Sequence, residues 1–386
     1  MAEPLKTLLG AEAVRALASQ ISKVEPAFDA RLFVTRALDG LDALELKARS
    51  RHVANAMFEA LPPDPLVALA ALERSLGPPI EASNEPGLSV LRYMPHADFV
   101  AAHGLGCFEA SMRFQHALTQ RFTAEFSIRE FLRHHPDRTL AVLRQWASDP
   151  SEHVRRLVSE GTRPRLPWAS QLEAFRLDPR PVLELLELLK DDPSLYVRRS
   201  VANNLNDVTK DHPELALEIA KRWWRGAPSE RKYVVRHALR GLVKQGHPKA
   251  LGLLGFGKGP EVSVTSFVVT PESPRIGESV SFSFELESKS KQGQKLLVDY
   301  VFRFASKSGA VRSKVFKLKE LELAPNAAVT LRSRISLEQH TTRKHYPGPH
   351  QVELLINGRA FPGGSFEVVE EAKRGKRTRP KGGSRR

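Results

Sequence analysis

A single cysteine, Cys107, excludes an internal disulfide and any metal or iron–sulfur centre built on four thiolates. Long apolar runs are missing as well: VLELLELL at 182–189 is broken by Glu184 and Glu187 and falls far short of a membrane span. The opening MAEPLKTLLGAEAV has no basic segment leading into an apolar one, so no secretory signal is expected. The strong enzyme motifs are absent too: no Gly-rich phosphate loop, no G-x-S-x-G elbow and no H-E-x-x-H. His134-His135 followed by Asp137 lacks a third ligand at a convincing spacing, and adjacent helical histidines point apart, so neither a metal nor a cofactor is expected. These absences fit a reducing, cytoplasmic setting. Acid is in the minority, with 44 Asp and Glu against 59 Lys and Arg, and the formal charge of +15 favours a polyanionic partner.

What is present is globular, with a hydrophobic content of 41%. Up to about residue 257 apolar residues recur at helical spacing, as in AVRALASQISKV and PVLELLELLKD, with Pro, Gly and Asp between the runs. After GFGKGP the period becomes two. In SVSFSFELE the residues Val280, Phe282, Phe284 and Leu286 alternate with polar ones, and QVELLINGR ends in an Asn-Gly turn. The expected fold is an all-α HEAT-like repeat solenoid over 1–257, then an immunoglobulin-like antiparallel β-sandwich over 258–371. The stretch 372–386 holds eight Lys and Arg and no acid, about half the charge excess, and is expected to be a disordered basic arm.

The helical part repeats itself. DPSEHVRRLVSEG and DPSLYVRRSVANNL share a skeleton, and APSERKYVVRHALRGL offers Val-Arg-His at the equivalent place. Val154, Val197 and Val235 begin these triplets, spaced by 43 and then 38 residues, the period of HEAT-like helical pairs. Each unit opens on Asp-Pro-Ser or Ala-Pro-Ser, read as an N-cap with Pro near the first helical position. Equivalent arginines then fall at one level on successive helices and can form a basic stripe along a duplex backbone. The same arginines also suit solvated salt bridges. Acids recur at matching levels: Glu125 in TAEFSIREF, Glu160 in VSEGTRPRLPW and Asp207 in NNLNDVTK, the last about one turn beyond Glu160. On neighbouring helices about 8–10 Å apart, such side chains can face one cleft.

Several long strings in order resemble the AlkC branch of the AlkC/AlkD DNA alkylation-repair glycosylases: HGLGCFEASM, RFTAEFSIREFL, HPDRTLAVLRQWASDPSEHVRRLVSEGTRPRLPWA and VRRSVANNLNDVTKDHPE. The resemblance continues into LLVDYVFRF, VFKLKELELAP and TTRKHYPGPHQVELLINGR, which look like the immunoglobulin-like domain many AlkC proteins carry. The first 90 residues match only in helical character. The resemblance implies a monomeric, nucleoid-associated DNA N-glycosylase that excises cationic N-alkylated bases, 3-methylcytosine, 1-methyladenine and 3-methyladenine, from double-stranded DNA without turning them fully out of the helix. By the same resemblance Glu160 is the catalytic carboxylate, Glu125 and Asp207 are further acids of the site, and Trp168 is its aromatic.

Residues expected to hold DNA follow from charge and position. They are Arg155, Arg156, Arg163 and Arg165 around Glu160, then Arg198, Arg199, Asn203, Asn204 and Lys210 in the next unit, then Arg236 and Arg240. In the sandwich the basic loops supply Lys289, Lys291, Arg343 and Lys344. Two other readings use the same features: a non-catalytic HEAT-repeat DNA-binding or scaffold protein, and a protein-interaction adaptor in which the positive charge is incidental.

Overall fold

The change of hydrophobic period near residue 257 is a change of fold class, with helices ending at Leu253 and strands beginning at Val262. A computed structural model describes residues 5–80, 87–257, 259–340 and 344–370, so the expected basic arm at 372–386 lies outside the described residues. The helices open with α1 (Ala11–Ser22), α2 (Ala30–Leu38), α3 (Leu46–Ala60) and α4 (Pro65–Ser75). Next come α5 (Met94–His103), α6 (Phe108–Thr119), α7 (Ile128–His134) and α8 (Pro136–Trp146). Then follow α9 (Glu152–Gly161), α10 (Glu173–Leu177), α11 (Arg180–Leu189) and α12 (Leu195–Val208). The last are α13 (Pro213–Trp224), α14 (Ser229–Ala238), α15 (Arg240–Lys244) and α16 (Pro248–Leu253). None is long and apolar enough to cross a membrane among the described residues.

The chain forms two compact units, Met1–Leu239 and Arg240–Arg386. In the first, the Val-Arg-Arg/His helices stack as the repeat requires, α12 packing on α9 and on α14. Val154, Val197 and Val235 are each fully buried, so the triplet's valine is the core residue of its turn. The expected cap differs. Ser151 and Ser194 are the N-caps, but their side chains make no capping bond. Instead Asp149 and Asp192 accept from the Ser151 and Ser194 amides at 2.8 Å, and each Pro lies before the cap. An aspartate that can close a turn on the amide two residues on outcompetes the hydroxyl here.

The i, i+3 spacing of Glu184 and Glu187 on α11 suits a charged outer face. Glu184 lies on such a face, pairing with Arg144 at 2.6 Å. Glu187 instead accepts from the indole of buried Trp223 at 2.8 Å and from Arg222 at 2.6 Å, tying α11 to α13. Burial works to raise its pKa, but the bonds from Trp223, Arg222 and Lys190 outweigh it and bring the value to about 2.

In the second unit, β1 (Val262–Thr270), β2 (Ser279–Ser288) and β5 (Ala328–Ser336) form one antiparallel sheet in the order β1-β2-β5. The other, β4-β3-β6-β7, joins β3 (Gln294–Ala305), β4 (Val311–Leu323), β6 (Gly348–Ile356) and β7 (Arg359–Val368). The alternation read in SVSFSFELE is the inward face of β2: Val280, Phe282, Phe284 and Leu286 are buried in the core between the sheets. Asn357 and Gly358 both take positive φ, 47° and 75°, as a two-residue hairpin turn demands. The expected boundary at 257 falls inside this unit, because α15 and α16 belong with the sheets. A Cβ on Gly358 would meet the Gly246 Cα at 2.4 Å, so the hairpin packs backbone to backbone on the turn after α15. Lys295 on β3 donates to the Leu254 carbonyl at 3.3 Å and lies over the Phe256 ring.

Candidate functional site

Glu160 stands in the last turn of α9, and the reason for the glycine after it is packing rather than conformation. A Cβ on Gly161 would lie 2.5 Å from the Ile128 Cγ2, so only glycine lets α9 approach α7 this closely. The fully buried Arg129 of α7 then holds the chain beyond Glu160. Its guanidinium donates to the carbonyls of Gly161 at 3.1 Å, Arg163 at 2.7 Å and Ser170 at 2.7 Å. Burial, with Arg133 and Arg163 nearby, lowers the Arg129 pKa to about 10, still far above neutrality.

The three acids meet through two guanidinium groups. Arg163 donates to Glu160 Oε1 at 2.7 Å and to Asp207 Oδ2 at 2.9 Å. Arg156 donates to Glu125 Oε2 and lies 3.6 Å from Glu160 Oε1. The second oxygen of Glu160 accepts from Ser200 on α12 at 2.6 Å, and Ser159 donates to Ser200 in turn at 2.7 Å. Glu160 and Asp207 are buried, while Glu125 is half-buried and also takes the Thr123 hydroxyl. Burial pushes the Glu160 pKa up, but Arg156, Arg163 and the Ser200 hydroxyl together hold it below the ordinary glutamate value. The carboxylate is therefore ionised at neutral pH although it is buried.

Three negative and two positive groups make up this cluster, and the third cation, Lys210, reaches Asp207 at 2.8 Å from a half-exposed position. The interior charge balance thus depends on a lysine that water, or another anion, can reach.

Trp168 does not pack a helix. It is 65% exposed and adopts a left-handed φ of 65°, which is costly for a bulky residue and persists only when its surroundings impose it. One imposed contact is visible: Lys47 of α3 donates to the Trp168 carbonyl across 121 residues of sequence.

The arginines expected on phosphates are mostly occupied. Arg155 clamps buried Asp192 at 2.6 and 3.0 Å and also donates to the Asp149 and Pro150 carbonyls. Arg156 and Arg163 hold the site carboxylates, and Arg165 clamps Asp211 at 2.6 and 2.9 Å. Arg198 closes on the Asp192 and Pro193 carbonyls as Arg155 does one repeat earlier. Four of these five positions, Arg155, Arg156, Arg163 and Arg165, are thus drawn to carboxylates and Arg198 to backbone carbonyls, since a carboxylate shielded from water recruits a nearby cation. Asn204 is fully buried, and its amide donates to the Ser159 carbonyl and the Thr162 hydroxyl. Asn203 lies 3.1 Å from the His237 ring. Arg199 and Arg236 are exposed, and Arg240 opens the second unit in α15.

In the second unit Lys289 is exposed and paired with Glu287 at 2.6 Å, and Lys291 is exposed. Lys344 lines a cavity together with Arg312, Lys314, Phe302, Phe304 and Phe316. Arg343 lies outside the described residues. Sequence reasoning missed Ser200, Arg129 and Lys47. Ser200 had a visible signal, a hydroxyl on the inward face of α12 three residues after Val197, whereas Lys47 had none.

Residues 263–370 match the family model described as the C-terminal Ig-like domain of the uncharacterised protein YhaZ. An uncharacterized YhaZ protein of Bacillus subtilis (strain 168) is 36% identical over 365 residues, covering 94% of this chain and 99% of its own length. Among solved structures, the Pseudomonas fluorescens alkylpurine DNA glycosylase AlkC, bound to DNA containing an abasic site analog, superposes with a TM-score of 0.85. It is 40% identical and covers 95% of this chain and 100% of its own. Kinship over both units at that level means that the chain belongs to the AlkC family.

Proposed function

We propose that the protein is a DNA glycosylase that hydrolyses the bond between deoxyribose and a cationic N-alkylated base in duplex DNA, with Glu160 as the catalytic residue. The observation that carries the reading is the buried, ionised Glu160 at the junction of Arg156, Arg163 and Ser200. An alkylated base such as 3-methylcytosine, 1-methyladenine or 3-methyladenine already carries the positive charge that makes it a leaving group, so no general acid is required. As the bond to C1′ breaks, its electron pair neutralises the base and the sugar becomes oxocarbenium-like. A fixed negative charge in a water-poor site stabilises that state more than the ground state. Water then adds to C1′ and gives up a proton, for which a carboxylate is the acceptor.

Glu125 and Asp207 extend the negative field, and Trp168 offers a π-face to the cationic base, worth roughly 0.5–2 kcal/mol. The exposed cations Arg199, Arg236 and Lys210 are assigned to phosphates. When Lys210 turns toward a phosphate, Asp207 loses one of its cationic partners and the local field becomes more negative, which is the direction the transition state needs. On this reading the protein works on chromosomal DNA in the cytoplasm. The test is Glu160→Gln: excision of 3-methylcytosine from duplex DNA should fall by at least about 10²-fold while duplex affinity is kept or improved. An active Glu160→Gln protein overturns the assignment.

A further inference from the structure

Next to the site's segments lies a second feature, of which the proposed reaction uses only the Trp168 wall, a cavity of about 480 Å³ within the helical unit. It is in the size range of small-molecule sites. Two helices give it one face each: α3 supplies Lys47, Arg51, Ala54 and Asn55, and α5 supplies Ala97, Asp98 and Ala101. These follow helical spacing, so each set is a single stripe turned toward the gap. Alanines at 54, 97 and 101 leave open a space that larger apolar residues would close, in an interior that otherwise packs tightly.

The cavity has two aromatic walls, and both belong to the site's own segments. Phe126 follows Glu125, and Trp168 ends the string that begins with Glu160. Lys47 ties the walls together: its ammonium lies 5.7 Å from the centre of the Phe126 ring and donates to the Trp168 carbonyl. Asp98 is the acceptor. Its Oδ2 takes the Ser50 hydroxyl, and among the described residues Oδ1 accepts no hydrogen bond. Burial raises the Asp98 pKa against the Ser50 bond and the neighbouring Arg51 and Lys47, the mark of a carboxyl withdrawn from water.

We propose that this cavity receives the free nucleobase released by the reaction, its ring against Trp168 and Phe126 and its exocyclic amine donating to Asp98. The occupant follows from the chemistry of cleavage. Once the electron pair of the glycosidic bond has returned to the ring, the base is neutral, aromatic and no longer attracted to Glu125, Glu160 and Asp207. An adjoining recess lined by two aromatic rings, by alanines and by the Asp98 acceptor suits what the base has become, and its cations Arg51, Arg129 and Arg133 do not repel a neutral ring. Lys47 is then a positioning residue that sets the separation of the walls. The proposal rests on the glycosylase reading, but it is tested by binding alone.

The full chain is titrated with 3-methyladenine and with hypoxanthine, which lacks the amine, alone and in the presence of an abasic-site duplex. 3-Methyladenine is expected to bind more tightly than hypoxanthine and to remain bound beside the duplex. Ala101→Phe should weaken both bases by at least about tenfold, the effect of filling the recess, with thermal unfolding checked to show that the fold survives. Asp98→Asn, which keeps the shape, should abolish the preference for the amine-bearing base. No binding of 3-methyladenine at about 10 mM, or affinities indifferent to Ala101→Phe and a preference indifferent to Asp98→Asn, overturns the proposal. Binding needs no turnover, so a protein that excises bases but does not bind them free sinks the cavity assignment alone. One that binds them but excises nothing sinks the glycosylase reading and leaves the cavity a nucleobase site.

Discussion

Helices α9 and α12 begin from nearly the same sequence, DPSEHVRR and DPSLYVRR, and end in different chemistry. Their first halves do the same work: an aspartate closes the turn on the cap amide, a valine fills the core, and the first arginine folds back onto two carbonyls. Their second halves diverge. On α9 the next arginine, Arg156, is drawn inward by Glu125 and Glu160, whereas its counterpart Arg199 on α12 stays exposed. Six residues after the valine stands Glu160 on α9 and Asn203 on α12. The repeat is thus a scaffold rule, and the site is where one copy departs from it.

That comparison breaks or holds by measurement. The largest effect on stability is expected for Arg155→Ala, which strips buried Asp192 of its bidentate partner and should cost about 3 kcal/mol in chemical denaturation. Arg198→Ala removes two carbonyl contacts and strands no carboxylate, so about 1 kcal/mol is expected. Equal losses would mean that the two arginines do not differ in the way their partners indicate.

A smaller effect belongs to Ser200→Ala. Wild-type Glu160 titrates below the ordinary glutamate value, so both excision and this group's share of stability are present above that value and are lost as pH falls through the lowered one. Removing the hydroxyl should move the acid limb of the rate upward, read from a pH–rate profile. An unmoved limb would detach Ser200 from the carboxylate. The smallest effect is that of Arg199→Ala, for which excision chemistry should persist while the salt dependence of DNA binding flattens by about one unit of slope.

Much of the fold was legible because periodicity is a local property. The alternation in SVSFSFELE gave the face of β2, and the Asn-Gly pair gave the hairpin. The clustering of Glu125, Glu160 and Asp207 was legible from repeat register and family resemblance together. The partners of the arginines were not, because sequence shows that a cation is near an acid but not which acid is buried and must be neutralised. Arg155 read as a phosphate ligand for that reason, and Asp192 claims it. The boundary at Leu239 was hidden similarly: α15 and α16 have helical periodicity, and contacts distant in sequence, Gly246 with Gly358 and Lys295 with Leu254, assign them to the sheets.

The shared guanidinium of Arg163 has one further consequence. Glu160 and Asp207 compete for a single cation, so whatever weakens the claim of one strengthens the hold on the other. Asp207 accordingly acts as a remote dimmer for Glu160. With Asp207 in place, Arg163 is divided and part of the Glu160 charge stays unscreened. Neutralise Asp207, and the arginine is free to quench the charge that the reaction is proposed to use, without any atom of Glu160 having been changed.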